Sequence, residues 1–177
     1  ASLSVPATTP PSSPDRPGDT IPQNDPVAPG SELEPATIGS YDDPIPFGQA
    51  FILGLFEVEV LEADLDAAGA LADHEASNPP PPEGWHHVLV RVRVAYTDSA
   101  GVGSPGAIPF FLGDGTTEWH GFANECGLVP DDLTRWQVIG AGEEAVGNVC
   151  FTVPDDAGTL RLATDGFAGP VYFSLGS

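Results

Sequence analysis

The chain has 177 residues, with 26 acidic side chains against five arginines and no lysine. This balance repels nucleic acid and anionic membranes, so we expect neither as a partner. No run of about 18 apolar residues occurs, so no membrane-spanning helix is predicted and membrane insertion is not expected.

Residues 1–40 are predicted to be a Pro-, Ser- and Asp-rich tail or linker. Residues 1–46 hold 11 of the 20 prolines, and their few aliphatic residues follow no period. Such a segment buries too little apolar surface to offset its ordering entropy. The chain begins at Ala1 and contains no Met, so we expect a processed product that has lost a signal peptide, or a trimmed one.

Residues 41–177 are predicted to form an all-β domain, an immunoglobulin-like antiparallel β-sandwich of about seven or eight strands. Apolar residues alternate with polar ones in 55–64 and 86–97, which is the pattern of half-buried strands. Turn residues separate these runs from further short ones. The other predicted strands are 107–112, 117–123, 134–139, 144–153, 159–163 and 170–175, with a tight turn at 113–115. Residues 64–75 are a poor helix candidate because of Gly69 and a weak apolar face.

Four prolines at 79–82 precede the valine-rich strand. Proline cannot donate a backbone hydrogen bond, so we expect strand pairing to begin only after Gly84. A proline-rich ligand for an aromatic groove is the functional alternative. On the outer face of this strand, Arg91 and Arg93 are predicted to pair with Glu57 and Glu59 of the preceding strand, in preference to an anion site.

The two cysteines, Cys126 and Cys150, are 24 residues apart and lack metal-site spacing. An even cysteine count in a secreted protein predicts one disulfide. Two buried free thiols are the alternative.

The segments "NPPPPEGWHHVLVRVRVAYT", "GNVCFTVPDDAGTLRLA" and "PVYFSL" resemble a family of actinobacterial exported immunoglobulin-like proteins. That family includes a mycobacterial secreted immunoprotective antigen and related lipoproteins of unassigned function. The resemblance covers roughly residues 36–177 and implies a secreted or cell-surface location. Lipoprotein relatives carry a lipidated cysteine at the mature N-terminus; because no cysteine precedes Cys126, we expect no such anchor in this chain.

Few residues indicate catalysis. There is no Gly-x-Ser-x-Gly motif, and paired cysteines cannot act as nucleophiles, so no catalytic residue is assigned and no enzyme is expected. His86 and His87 point to opposite faces of their strand. We interpret them as polar residues at a strand end; the alternative is that one of them, with His120 and an acidic residue, binds zinc or copper.

No cofactor is assigned, but calcium remains open. The sequence "VPDD" occurs at 129–132 and again at 153–156, which makes Asp131, Asp132, Asp155 and Asp156 the calcium candidates. A turn in which the aspartate caps its own backbone is the alternative.

Three tryptophans, Trp85, Trp119 and Trp136, are candidate partner contacts, although packing in or over the core is the alternative. The sequence therefore predicts a non-catalytic extracellular binding or display module. Its partner would be a protein, or another copy reached through the tail. The alternative is a structural subunit of an extracellular filament or coat, with the tail or a segment such as 36–53 added to a neighbour's sheet.

Overall fold

The computed structural model of the chain describes residues 38–121, 125–135, 138–166 and 169–176; the predicted tail up to residue 37 lies outside them. Within these ranges, short strands alternate with turns. In chain order the strands are β1 (Phe51–Leu53), β2 (Phe56–Asp64), β3 (Trp85–Tyr96), β4 (Val102–Gly103), β5 (Phe110–Gly113), β6 (Glu118–His120), β7 (Ile139–Gly140), β8 (Glu144–Pro154), β9 (Arg161–Gly166) and β10 (Gly169–Ser174). A helix, α1 (Ala68–His74), and two 3-10 turns, Pro105–Ala107 and Leu133–Arg135, complete the described elements.

The strands form two four-stranded sheets and a short pair. The first sheet has the order β1-β2-β3-β8 and the second β10-β9-β5-β6, while β4 pairs with β7. All paired strands are antiparallel. The predicted all-β antiparallel sandwich is confirmed. The described strands number ten rather than seven or eight because β1, β4 and β7 are only two or three residues long and carry little periodic signal.

The core lies between the two sheets. Every second residue of β3 from Val88 to Tyr96 is buried, as the alternating pattern predicts. Leu112, Leu162 and Phe173 of the second sheet belong to the same apolar cluster. Full burial of one such side chain stabilises the fold by about 1.5–3 kcal/mol.

The proline run ends where the sheet begins. The Trp85 amide donates to the Pro82 carbonyl, and Gly84 turns the chain with a φ of 79°. From Trp85 onward β3 pairs with β8, starting opposite Pro154. The expectation that pairing begins after Gly84 is confirmed.

The helix α1 corrects the low expectation for residues 64–75. Leu71 and Ala67 are buried with the two cysteines and pack against Leu89 on the outer face of the first sheet. The Ala67 amide also donates to the His87 carbonyl. Tertiary burial of one short apolar stripe therefore outweighs the weak intrinsic propensity of the segment.

In two predicted strands a 3-10 turn takes the place of the first residues. In 107–112 pairing starts at Phe110, since Pro105–Ala107 is a 3-10 turn and Pro109 has no N–H to donate. In 134–139, Leu133–Arg135 is a 3-10 turn and β7 begins at Ile139, while residues 136–137 lie outside the described ranges. The predicted turn at 113–115 is present, between β5 and β6.

The segment 36–53, considered as a strand for a neighbouring subunit, is used within its own domain from residue 38 onward. The Tyr172 amide donates to the Gly39 carbonyl, and Ile45 bonds to both Tyr172 and Ser174 of β10. Residues 51–53 form a hairpin with β2. This part of the chain therefore completes its own sandwich, which corrects the earlier expectation.

Candidate functional site

An apolar groove lies at the edges of both sheets, beside β1 and β10. Its volume is about 700 Å³. We call it the edge groove; its lining comprises residues 38–40, 51–54, 165–166 and 169–171. Ile38 and Ile52 are 59% and 63% exposed, so this surface presents large aliphatic side chains to solvent.

The two strands beside the groove differ in whether their outer edge is covered by another part of the chain. Gly39 and Ile45 bond to the outer side of β10 and so cover it. Among the described strands, β1 has a partner on one side only, which is β2. An uncovered strand edge offers backbone N–H and C=O groups to an extended segment.

The two candidate tryptophans that the structure describes do not line this groove. Trp85 opens β3 and is 39% exposed, whereas Trp119 in β6 is half-buried against the core. Trp136 lies outside the described residues. Neither described tryptophan lines the edge groove, so the tryptophans did not indicate the position of the groove.

The calcium candidates are separated, and Asp131, Asp132 and Asp155 carry other contacts. Asp131 accepts from Arg91 at 3.1 Å, and Asp132 accepts from the amide and hydroxyl of Thr134 at 2.9 and 2.7 Å. The Asp155 carboxylate lies 3.1 Å from His86 Nδ1. The Asp131 carbonyl accepts from the Asn148 amide, while Asp155 and Asp156 follow the end of β8.

The strand between Asn148 and Asp155 spans roughly 20 Å at about 3.3 Å per residue. The structure therefore does not bring the two "VPDD" doublets together. The Asp132 bonds to Thr134 fit the turn alternative, in which the side chain caps its own backbone.

The ion pairs on the outer face of the first sheet centre on Arg93. It donates to Glu59, Glu57 and Glu144 at 2.8, 2.9 and 3.2 Å. These carboxylates, that of Glu59 above all, raise the pKa of Arg93, against the opposing effect of its partial burial. Arg91 does not share this cluster: it pairs with Asp131, whose carbonyl accepts from the amide of Asn148, the residue opposite Arg91 on β8.

The histidine metal site that the sequence left open is not assembled. His86 pairs with Asp155, and His120 lies in the other sheet, 5.4 Å from the Phe111 ring. Across the described ranges, the one group of three or more converging metal-ligating side chains is His87, Cys126 and Cys150. Cys126 and Cys150 form the predicted disulfide.

His87 is buried beside that disulfide. Its Nδ1 lies 3.0 Å from Thr152 Oγ1 and 3.8 Å from Cys126 Sγ, and its Nε2 lies 3.3 Å from the Pro79 carbonyl. A carbonyl can only accept, so Nε2 carries a proton, and in the neutral imidazole Thr152 Oγ1 then donates to Nδ1. We call these four residues, with Cys150, the histidine–disulfide cluster.

Both features were missed in the sequence for identifiable reasons. The apolar run "AFILGLF" at 50–56 lacks strict alternation, so nothing in it indicates which surface its side chains form. The alternation of β3 does place His87 on the face away from the core valines, yet nothing local shows that Cys126 packs on that face.

Comparisons with known proteins agree with the fold. No protein-family model matches the chain, and no curated sequence matches it significantly. A solved secreted protein from Mycobacterium tuberculosis, MPT63, is similar over 74% of this chain and 97% of its own, at 17% identity and a TM-score of 0.52. An uncharacterised β-sandwich protein from Clostridium difficile 630 matches over 75% of this chain and 95% of its own, at 9% identity and a TM-score of 0.48.

At these identities the likeness shows the sandwich fold and nothing finer. MPT63 is a mycobacterial secreted protein, of the kind that the sequence motifs resemble. In the described part of the chain, no helix has the length and apolarity to cross a bilayer.

Proposed function

We propose that the chain is a non-catalytic extracellular binding module and that the edge groove is its binding surface. The observation that carries this proposal is the exposure of Ile38 and Ile52 on a groove of about 700 Å³. Large aliphatic side chains in one exposed groove are typical of interaction sites. The intramolecular disulfide and the likeness to a secreted protein support an extracellular location.

The favoured ligand is an extended protein segment with apolar side chains. The uncovered edge of β1 supports this choice, since such an edge can add a strand while the groove takes alternate side chains. A net charge of −21 favours a neutral or basic segment over an acidic one.

The lining of the groove supports binding rather than catalysis. Its described polar side chains are Ser40 and Asp165, and it contains no histidine to act as a base for Ser40. A nucleophile needs a base within hydrogen-bond reach. We therefore assign the groove no reaction.

A displayed peptide library selected on the whole chain tests this proposal. Ile52→Asp should weaken the selected peptides at least 10-fold, because it places a charge in the apolar groove. Val102→Asp is the matched control, since Val102 is 65% exposed but does not line the groove. Selected peptides that bind both variants equally well, or that prefer an acidic sequence, would contradict the proposal.

A second candidate is a structural subunit joined through residues 1–37. It is favoured by the uncovered β1 edge, which could accept a strand from another copy. Light scattering over a concentration series should compare the whole chain with one that lacks residues 1–37; Gly39 is kept because it bonds to β10. Assembly of the whole chain alone would identify the tail as the connector, and two monomers would remove this candidate.

A further inference from the structure

We propose that the histidine–disulfide cluster is a redox-gated metal site, which binds Zn²⁺ through His87, Cys126 and Cys150 once the disulfide is reduced. In the oxidised protein the two sulfurs are bonded to each other. Reduction produces two thiols next to a buried imidazole. Two thiolates and an imidazole are a donor set that suits zinc.

The distances fit a shared metal ion. One atom from each of the three residues lies within 4.8 Å of the others. In tetrahedral zinc coordination, Zn–N of about 2.05 Å and Zn–S of about 2.3 Å place nitrogen and sulfur ~3.6 Å apart. The observed separation of His87 Nδ1 from Cys126 Sγ is 3.8 Å, so these two atoms already stand near the spacing that zinc requires.

The His87 imidazole is also held in the tautomer that has a lone pair on Nδ1, which is the form that binds a metal ion. Metal-ligating histidines usually donate their second ring N–H to a carbonyl or carboxylate, and here Nε2–H donates to the Pro79 carbonyl. Nδ1 therefore presents its lone pair toward Thr152 and the sulfur. His87 is 1% exposed, which shields a metal at Nδ1 from bulk water.

A cavity gives access to the two cysteines, and their sulfurs can move apart after reduction. A cavity of about 120 Å³ is lined by both cysteines and by Arg135 at its rim, which is mostly exposed. Once the disulfide is reduced, rotation about the Cα–Cβ bond of Cys126 can move its sulfur the roughly 2 Å that separates a disulfide from two zinc-bound thiolates. Cys150 stays fixed in β8.

The chemistry balances with a dithiol as reductant. A reductant thiolate attacks one sulfur and forms a mixed disulfide, its second thiolate releases that sulfur, and the dithiol becomes a disulfide. The two electrons and two protons transferred convert Cys126 and Cys150 to thiols. Zn²⁺ then displaces both thiol protons, and a water molecule completes the tetrahedral coordination.

Cobalt titration of the whole chain tests the site. The protein is reduced with a phosphine, desalted without oxygen and titrated with Co²⁺, a spectroscopic substitute for Zn²⁺. We expect one equivalent to produce thiolate charge-transfer bands and tetrahedral visible bands, which zinc abolishes. The oxidised protein should show neither. Binding by the oxidised protein, or its absence after reduction, would overturn the proposal.

Variants separate this site from adventitious thiol binding. His87→Gln should weaken zinc binding more than about 100-fold, because loss of an outer-shell partner alone costs 10–100-fold. His86→Gln is the matched control, since its side chain is on the opposite face and pairs with Asp155, and it should leave affinity unchanged.

If His87→Gln fails to fold, long-range ¹H–¹⁵N spectra of the reduced wild type answer the same question. Zinc should shift the His87 Nδ1 resonance to a metal-bound position. An unshifted Nδ1 in the loaded protein would show that His87 is not a ligand and would refute the site.

Discussion

Arg93 illustrates how one residue organises a face of the first sheet. Glu57, Glu59 and Glu144 approach its guanidinium from both neighbouring strands. The Arg93 and Glu59 side chains are only 24% and 20% exposed, so their attraction is less screened than that of a surface pair. Without the arginine, three carboxylates would be left close together and unpaired.

Replacing Arg93 by Gln should therefore lower the free energy of unfolding by about 1.5–3 kcal/mol, the usual value for hydrogen bonds to charged groups. Arg91→Gln is the matched control: its one pair, with Asp131, joins side chains 34% and 67% exposed and should matter by less than about 1 kcal/mol. Denaturant unfolding measures both, and equal losses would show that the cluster adds nothing beyond single surface pairs.

Asp114 makes a residue-scale contribution that depends on pH. Its carboxylate accepts from the hydroxyl and amide of Thr116 and from the amide of Thr117, and these bonds lower its pKa to about 2. The folded pKa lies below the unfolded value of about 3.9, so the contribution is complete above that value and is lost as the pH falls toward 2.

We expect Asp114→Asn to lower Tm near pH 5, and the difference from wild type to shrink between about pH 4 and pH 2. Thermal unfolding across this range provides the measurement. Asp156→Asn, at an exposed aspartate in the turn after β8, corrects for the removal of one negative charge. A Tm difference that is constant with pH would contradict this assignment.

At the scale of elements, Asn78 joins α1 to the disulfide loop. Its amide group donates to the carbonyls of Leu71 and Leu128, and its oxygen accepts from the Leu128 amide at 2.6 Å. Gly127 makes this approach possible: its φ is 73°, and a Cβ there would lie 2.2 Å from the Asn78 side-chain oxygen. The loop that carries Cys126 is thereby held against the helix.

Asn78→Ala should lower the free energy of unfolding by about 2–3 kcal/mol, since it leaves backbone groups of both elements unpaired. Ser77→Ala removes only a local bond to Glu75 and should cost less than about 1 kcal/mol. Denaturant unfolding gives the values, and hydrogen exchange should show faster opening of α1 and residues 126–129 in Asn78→Ala alone. Unchanged exchange there would mean that the elements are held by apolar packing instead.

At the scale of the molecule, the disulfide ties the loop after β6 to the central part of β8. Its 24-residue separation gives about 3.5 kcal/mol in the chain-entropy model. We expect the Cys126→Ala and Cys150→Ala double variant to fold, because the core between the sheets does not include either cysteine.

That double variant should lose roughly 3 kcal/mol of unfolding free energy in denaturant. Phosphine-reduced wild type should lose a similar amount, and a near-ultraviolet circular dichroism spectrum should verify that both remain folded. Unfolding of the double variant or of the reduced wild type would mean that the fold around His87 requires the disulfide bond. In that case the redox-gated site would also lack a folded scaffold.

The sequence by itself determined the class of fold, the main strands and the start of β3. Alternation in 55–64 and 86–97 reports which face each residue takes, and proline and glycine determine where pairing can begin. These are local properties of the chain. The pairing of its two cysteines was predicted from their even number and from the expected export of the chain.

Tertiary structure alone decided which distant residues meet. The bond from Asn148 to the Asp131 carbonyl places Asp131 beside Arg91, the burial of Leu71 makes α1 a helix, and the separation along β8 keeps the acidic doublets apart. The edge groove and the histidine–disulfide cluster each join segments that are far apart in the chain. Such contacts depend on register and sheet order, which a period-two pattern does not encode.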